Sequence, residues 1–194
     1  VRYITNHSTG KMGYALAEAA MLRGAEVTLI SGPTAIEPPM FVNVIPIISA
    51  QEMFEKVATN ATENDIIIKA AAVADYRPKE VCDEKIKKSD HDTEIELERT
   101  TDILAYLGKN KGKTFLCGFS METENMLENS RRKLDKKNLD MIVANNLKDK
   151  GAGFGVDTNL ITIITRDREL QLELMSKQDA ANCILDEIIR KTGN

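Results

Sequence analysis

The 194-residue chain reads as an α/β protein: a Rossmann-like, open, mainly parallel sheet with helices on both faces, closed by a C-terminal β-hairpin and helix. Three observations predict this. Short Val- and Ile-rich runs alternate with segments of helical periodicity along the whole chain. One run, "NDIIIKAAAVADY", is nearly continuous in apolar residues, as in a strand buried on both faces. Two late runs, "LITIITRD" and "ELQLEL", are separated by little more than a turn. Such alternation implies right-handed crossovers and helices on both sides of one sheet.

Residues 11–25, "KMGYALAEAAMLRGA", put Met12, Leu16, Ala19 and Ala20 on one face of a helix that Ser8 or Thr9 would cap and Gly24 would end. "EVTLISG" follows as a strand running into the Gly32-Pro33 turn, and Pro38-Pro39 marks the next loop. "FVNVIPI" is a second strand, "SAQEMFEKVATNA" a helix capped by Ser49, and "NDIIIKAAAVADY" the apolar strand. Residues 77–92, "RPKEVCDEKIKKSDHD", are charged and almost free of large apolar side chains, the composition of a mobile surface loop. Strand "TEIELE", helix "TDILAYLGKN", strand "TFLCGFSM", helix "TENMLENSRRKLDKKN" and strand "LDMIVANN" come next, before the hairpin and the closing helix "SKQDAANCILDEIIRK".

Charged residues at 29%, apolar residues at 42% and a net charge of −4 describe one ordinary globular domain over residues 1–194, without general affinity for nucleic acid or membranes. The longest apolar stretch, "IIIKAAAVA", is far short of a membrane span. Cys82, Cys117 and Cys183 are widely separated and fit a reducing cytoplasm. His7 and His91 are too few to support a zinc centre or a Ser/His/Asp triad.

In open sheets of this kind ligands bind beyond the carboxyl ends of the strands, which gathers "NHSTGKMG", "VADY", the charged loop, "GFSMET" and "VANN". "NHSTGKMG" is not a Walker A loop, because Thr5 and Met12 stand where glycine and Ser/Thr are needed. Gly10 and Gly13 still allow close backbone approach, the helix start favours an anion, and the Asn6 amide suits a carboxylate or phosphate ester. A capped helix with Lys11 in solvent fits the same residues equally well. An NAD site would place an acid about twenty residues beyond the glycine turn, where this chain has Ser31-Gly32. "GAGFG" at 151–155 leads into no helix and reads as a turn. Asp75 ends the apolar strand, aimed at the crevice or capping its own turn. Lys85, Lys87 and Lys88 are solvated unless a phosphate lies beside them, and Lys133 and Lys137 share one helix face, paired with surface acids or meeting a polyphosphate. Phe119 is a core residue or a surface on which a base stacks.

"VRYITNHSTGKMG", "AAAVADYRP", "EKIKK", "GFSMET" and "RKLDKKNLDMIVAN", in this order over nearly the whole chain, resemble bacterial phosphopantothenoylcysteine synthetase, the ligase domain of coenzyme A biosynthesis. The resemblance implies that CTP activates 4′-phosphopantothenate as an acyl-cytidylate, and that the amine of L-cysteine then displaces CMP. It implies Mg²⁺ with CTP as co-substrate, and FMN only if a flavin decarboxylase, fused or separate, exists outside this chain. Carried over by resemblance, Asn6 is the catalytic amide and Lys85 the lysine that reaches the phosphates. Ala71, Ala72, Val73, Asp75, Thr100, Thr101, Asp102, Ile103, Phe119, Lys133 and Lys137 contact CTP, while Arg2, Asn6, Ser8 and Gly10 face the phosphopantothenate side. Arg2 would reach the neighbouring subunit of a homodimer. "TTDI" stands where many relatives have "NPDI", and Asn146 where an Asp is common. The family's first strand and its glycine turn are absent before "VRY", so a trimmed chain is expected. A nicotinamide-dependent oxidoreductase on the same sheet is the alternative, and a non-catalytic domain that pairs subunits the third reading.

Overall fold

The structure is a computed structural model that describes residues 4–82, 84, 94–122, 124–146 and 156–193. In chain order its elements are helix α1 (Lys11–Leu22), strands β1 (Thr28–Ser31) and β2 (Asn43–Pro46), helix α2 (Ala50–Asn60), strands β3 (Ile66–Lys69), β4 (Tyr76–Pro78) and β5 (Leu97–Arg99), and helix α3 (Ile103–Asn110). Strand β6 (Phe115–Glu122), helix α4 (Met126–Lys136), strands β7 (Met141–Asn146), β8 (Thr158–Asn159), β9 (Ile161–Thr165), β10 (Glu169–Gln171) and β11 (Met175–Ser176), and helix α5 (Lys177–Thr192) complete it.

The central sheet has five strands in the order β10-β9-β7-β6-β3. β3, β6 and β7 run parallel, with Lys69 opposite Gly118 and Phe119 opposite Val143. The hairpin β9-β10 extends this sheet antiparallel to β7, as the closely spaced late runs predict. β1 and β2 form a separate parallel pair, and β4-β5 and β8-β11 separate antiparallel pairs, so the single expected sheet is realised as one five-stranded sheet and three two-stranded ones.

Period-two alternation along β6 divides the apolar side chains between two cores. Phe115, Cys117 and Phe119 pack with α1 and α5, among Leu16, Ala181, Ile184 and Ile188. Leu116 points the other way, into a core with Leu104 and Leu107 of α3, Leu134 of α4 and Met53 of α2. Helices therefore cover both faces. Burial, and then the nearby Asp140 carboxylate, push the Cys117 thiol well above its ordinary value, which leaves it an inert core group.

Helix ends show which local signals were sufficient. Ser49 caps α2, its hydroxyl accepting from the Glu52 N–H at 3.1 Å, while the Glu52 carboxylate accepts from the Ile48 N–H at 3.0 Å. Ser176 caps α5 in the same way, accepting from the Asp179 N–H at 3.0 Å. α1 differs from expectation: its cap is Gly10, which has no side chain to cap with, not Ser8 or Thr9. Gly10 sits at φ 77°, and a β-carbon there would stand 2.8 Å from the Thr34 methyl, so both backbone and neighbour select glycine.

Two strand expectations are corrected. The apolar run stops being a strand at Lys69, and β3, at the edge of the sheet, is only half-buried, although Ile66 and Ile68 pack against one core and Ile67 against the other. The segment expected as strand "TEIELE" contributes Leu97–Arg99 to an antiparallel pair with β4, outside the central sheet. Arg77 and Glu98 tie the two strands with an ion pair of 2.7 Å.

Candidate functional site

Where β3 ends, residues 70–75 cross the carboxyl edge of the sheet without regular structure. Five consecutive carbonyls in this turn are taken up by groups from three directions. Lys69 Nζ donates to the Ala71 carbonyl at 2.8 Å. Asn6 Nδ2 donates to the Ala72 and Val73 carbonyls at 3.3 and 3.4 Å. Thr100 donates twice, its hydroxyl to the Ala74 carbonyl at 2.6 Å and its N–H to the Asp75 carbonyl at 3.0 Å. Among the described residues, no group accepts from the N–H of Ala72, Val73 or Ala74. The turn thus spends its acceptors on the protein and keeps its donors, the polarity of a surface that meets phosphate or carbonyl oxygens.

On the α3/α4 side of the turn stand three lysines. Lys137, at the end of α4, pairs with Asp102 at 2.8 Å, and Asp102 also caps α3 by accepting from the Ala105 N–H at 3.0 Å. Burial opposes charge on Asp102, but the Lys137 and Ala105 hydrogen bonds outweigh it and hold the carboxyl below the usual range. The α3–α4 joint that sets this pair is tight: a β-carbon on Gly108 would collide with the Lys137 carbonyl, and Asn138 Nδ2 donates to the Gly108 carbonyl at 2.9 Å. Lys133, one turn earlier, donates to the Ser120 hydroxyl at 3.3 Å and lies 3.7 Å from the Glu122 carboxylate. Lys69 is the third. Burial of its ammonium, and then the positive charge of Lys137, lower its pKa to about 8, with Asp102 opposing, Lys133 adding to the fall and Asp75 also opposing.

The α1 side is built differently. Asn6 and Ser8 are exposed, and Gly10 is half-buried at the helix start. Lys11 is held by Asp157 at 2.6 Å instead of standing free in solvent. Ser31, where a nicotinamide site would want an acid, shares a 3.2 Å hydrogen bond with Tyr14.

The structure therefore brings Asn6, Ala71, Ala72, Val73, Asp75 and Thr100 together by direct contact or chain continuity, with Asp102, Lys133 and Lys137 on the adjoining face. Thr101 is exposed beside them, and Ile103 is a core residue, 2% exposed, whose side chain turns away into the α3 packing. Phe119 lies half-buried on the opposite face of β6 from Ser120 and Lys133, packed toward α1 and α5. Arg2, Lys85, Lys87, Lys88 and the "GAGFG" turn lie outside the described residues, as does the side chain of Asn146. Lys69 was missed from sequence, where it reads as an interruption of an apolar strand. A lysine at the carboxyl end of a parallel strand was the available signal. Among the described residues, no cluster of three or more His, Cys, Asp or Glu side chains could hold a metal ion, and no helix is long and apolar enough to cross a membrane.

The DNA/pantothenate metabolism flavoprotein C-terminal domain matches residues 1–191. The coenzyme A biosynthesis bifunctional protein CoaBC of Bacillus subtilis is 51% identical over 97% of this chain and 47% of its own length, and that of Escherichia coli K12 is 40% identical over 98% and 48%. The chain thus spans about half the length of the curated relatives it matches. The crystal structure of a C-terminal domain of CoaBC superposes with a TM-score of 0.85 at 44% identity, covering 100% of this chain and 88% of that one. The DNA/pantothenate metabolism flavoprotein from Streptococcus pneumoniae shares the fold, with a TM-score of 0.83 at 22% identity over 98% and 92%. Matched nearly end to end, the chain belongs to the family of DNA/pantothenate metabolism flavoprotein C-terminal domains.

Proposed function

We propose that this chain is a CTP-dependent phosphopantothenate–cysteine ligase. The 4′-phosphopantothenate carboxylate attacks the α-phosphorus of CTP, pyrophosphate leaves, and the cysteine amine attacks the resulting acyl-cytidylate, losing a proton as CMP departs. One observation carries the reading: an uncharged amide, Asn6, is bonded to the same donor-rich turn that three lysines flank. Lysines offset the charge that spreads over a transferring phosphoryl group, and a preset amide contacts an acyl-phosphate without acting as an acid.

In this reading the main chain of residues 71–74, together with Asp75, holds the nucleotide. Thr100, Thr101, Asp102 and the main chain of Ile103 line it, and the base lies against what the half-buried Phe119 ring leaves accessible. Lys133 and Lys137 take the phosphates, joined by Lys85. Ser8 and Gly10 at the helix start, together with Arg2, receive the phosphopantothenate side, Arg2 from a second copy of the chain in a homodimer. Mg²⁺ would neutralise phosphate charge. Asp102 and Glu122 are already engaged by lysines. A dication here would be held mainly by the triphosphate, as magnesium at nucleotide sites commonly is. A flavin decarboxylase with its FMN belongs to any other part of the parent protein, and the setting is the cytoplasm. The nicotinamide alternative finds no support in the relatives or at Ser31.

Pyrophosphate release is expected to require CTP and 4′-phosphopantothenate, and the amide product to require cysteine as well. Asn6→Asp and Lys85→Gln combined should abolish turnover. Full turnover by the double variant would overturn the site assignment.

A further inference from the structure

Of the three lysines on the α3/α4 side, Lys133 and Lys137 each have a carboxylate within 4 Å, at 3.7 and 2.8 Å. Lys69 has none among the described residues; its bond is to the neutral Ala71 carbonyl at 2.8 Å. It is also the one whose backbone leads straight into the donor-rich turn. Its surroundings are Lys133 and Lys137 from α4, Asp102 from the cap of α3, and Asp75 from the turn itself, with Glu122 of β6 committed to Lys133. Among the described residues, the Lys69 ammonium is thus hydrogen-bonded only to a carbonyl, with the charges of Lys133 and Lys137 set against those of Asp102 and Asp75.

We propose that Lys69 is a positioning residue for the polyphosphate, its ammonium answering ligand charge while anchoring the Ala71 carbonyl, so that anion binding is coupled to proton uptake at this one side chain. This rests on the nucleotide reading of the crevice. An ammonium that sits at about 8 when the crevice is free is half-charged near that pH, and phosphates brought beside it raise its proton affinity. Linkage fixes the sign: a group that gains protons on binding makes affinity fall as pH rises through its free value. Between pH 7 and 9 the affinity of the unaltered protein for CTP should fall about tenfold.

The test is calorimetric titration of CTP with Mg²⁺, and separately of inorganic tripolyphosphate, at pH 7, 8 and 9 in two buffers of different ionisation enthalpy. The unaltered protein, Lys69→Met and Lys69→Arg are compared. Proton uptake near pH 8 is expected in the unaltered protein and not in either variant. Lys69→Arg should recover most of the affinity that Lys69→Met loses at pH 7, yet show less than about a twofold change up to pH 9, since guanidinium does not titrate there. A purely structural lysine would not separate affinity from pH dependence in this way. If CTP binds with the same pH profile in all three proteins, the Lys69 proposal falls and the nucleotide reading stands. If tripolyphosphate binds with Lys69-dependent proton uptake and CTP does not bind, the nucleotide reading falls and the Lys69 role stands. Absence of binding by either anion overturns both.

Discussion

The two flanks of the turn at residues 70–75 are constructed on opposite principles. On the α3/α4 flank, Lys137 and Asp102 are ends of helices whose inner faces are core: Leu104 is 4% exposed, Leu107 1% and Leu134 3%. On the α1 flank, Asn6 is exposed and reaches the turn through two long hydrogen bonds of 3.3 and 3.4 Å. The first flank fixes charge on packed helix ends, and the second holds its amide on an exposed segment without regular structure. Stability and chemistry should therefore respond differently to substitutions on the two sides.

The largest effect on stability is expected at the α3–α4 joint. Gly108→Ala forces a β-carbon into the Lys137 carbonyl, and backbone cannot yield as a side-chain tip can. Overpacking of this kind should cost on the order of 3 kcal/mol in urea unfolding, despite the better helix propensity of alanine. An unchanged midpoint would mean that the joint is loose, and the contrast between flanks would break.

A smaller loss is expected for Asp102→Asn, which keeps a good cap and removes only the charge facing Lys137. About 0.5–1 kcal/mol is expected at neutral pH, because the carboxylate is half exposed. The sign follows from the lowered carboxyl pKa: the stabilising contribution is present above the unfolded value near 4 and is lost as pH falls through the folded one. The gap between the two proteins should therefore close below about pH 4, and a gap that persists into acid would assign the effect to something other than this charge.

Asn6→Ala should change stability least, within about 0.5 kcal/mol, since an exposed side chain with long bonds contributes little. Its effect on product formation should nevertheless be severe. A variant both stable and fully active would remove the amide from the chemistry.

Much of the architecture was legible because it rests on local rules. Ser49 with Glu52, Ser176 with Asp179, and the closely spaced hairpin runs all carry their partners within a few residues. What sequence concealed depends on distant partners. "AAAVAD" looks like more strand, yet its carbonyls bond to Asn6 and Thr100, which no periodicity connects to it. The cap of α1 was misread because Thr34, from beyond β1, is what crowds Gly10. Among the candidate residues, residue type and spacing single out Asn6, Asp75, Lys133 and Lys137, and the structure gathers them around one turn. The side of β6 on which Phe119 lies, and the presence of Lys69, required knowing where β3 stops.

The turn beyond β3 has one more consequence, for how sequence drift acts on this protein. Its outward chemistry is written in main-chain N–H groups, so exchanging Ala72, Val73 or Ala74 for another compact residue alters shape slightly and leaves the donor array intact. Natural variation there should be limited by bulk alone, whereas Thr100, two of whose groups hold the array from behind, is where a single codon change would scramble it.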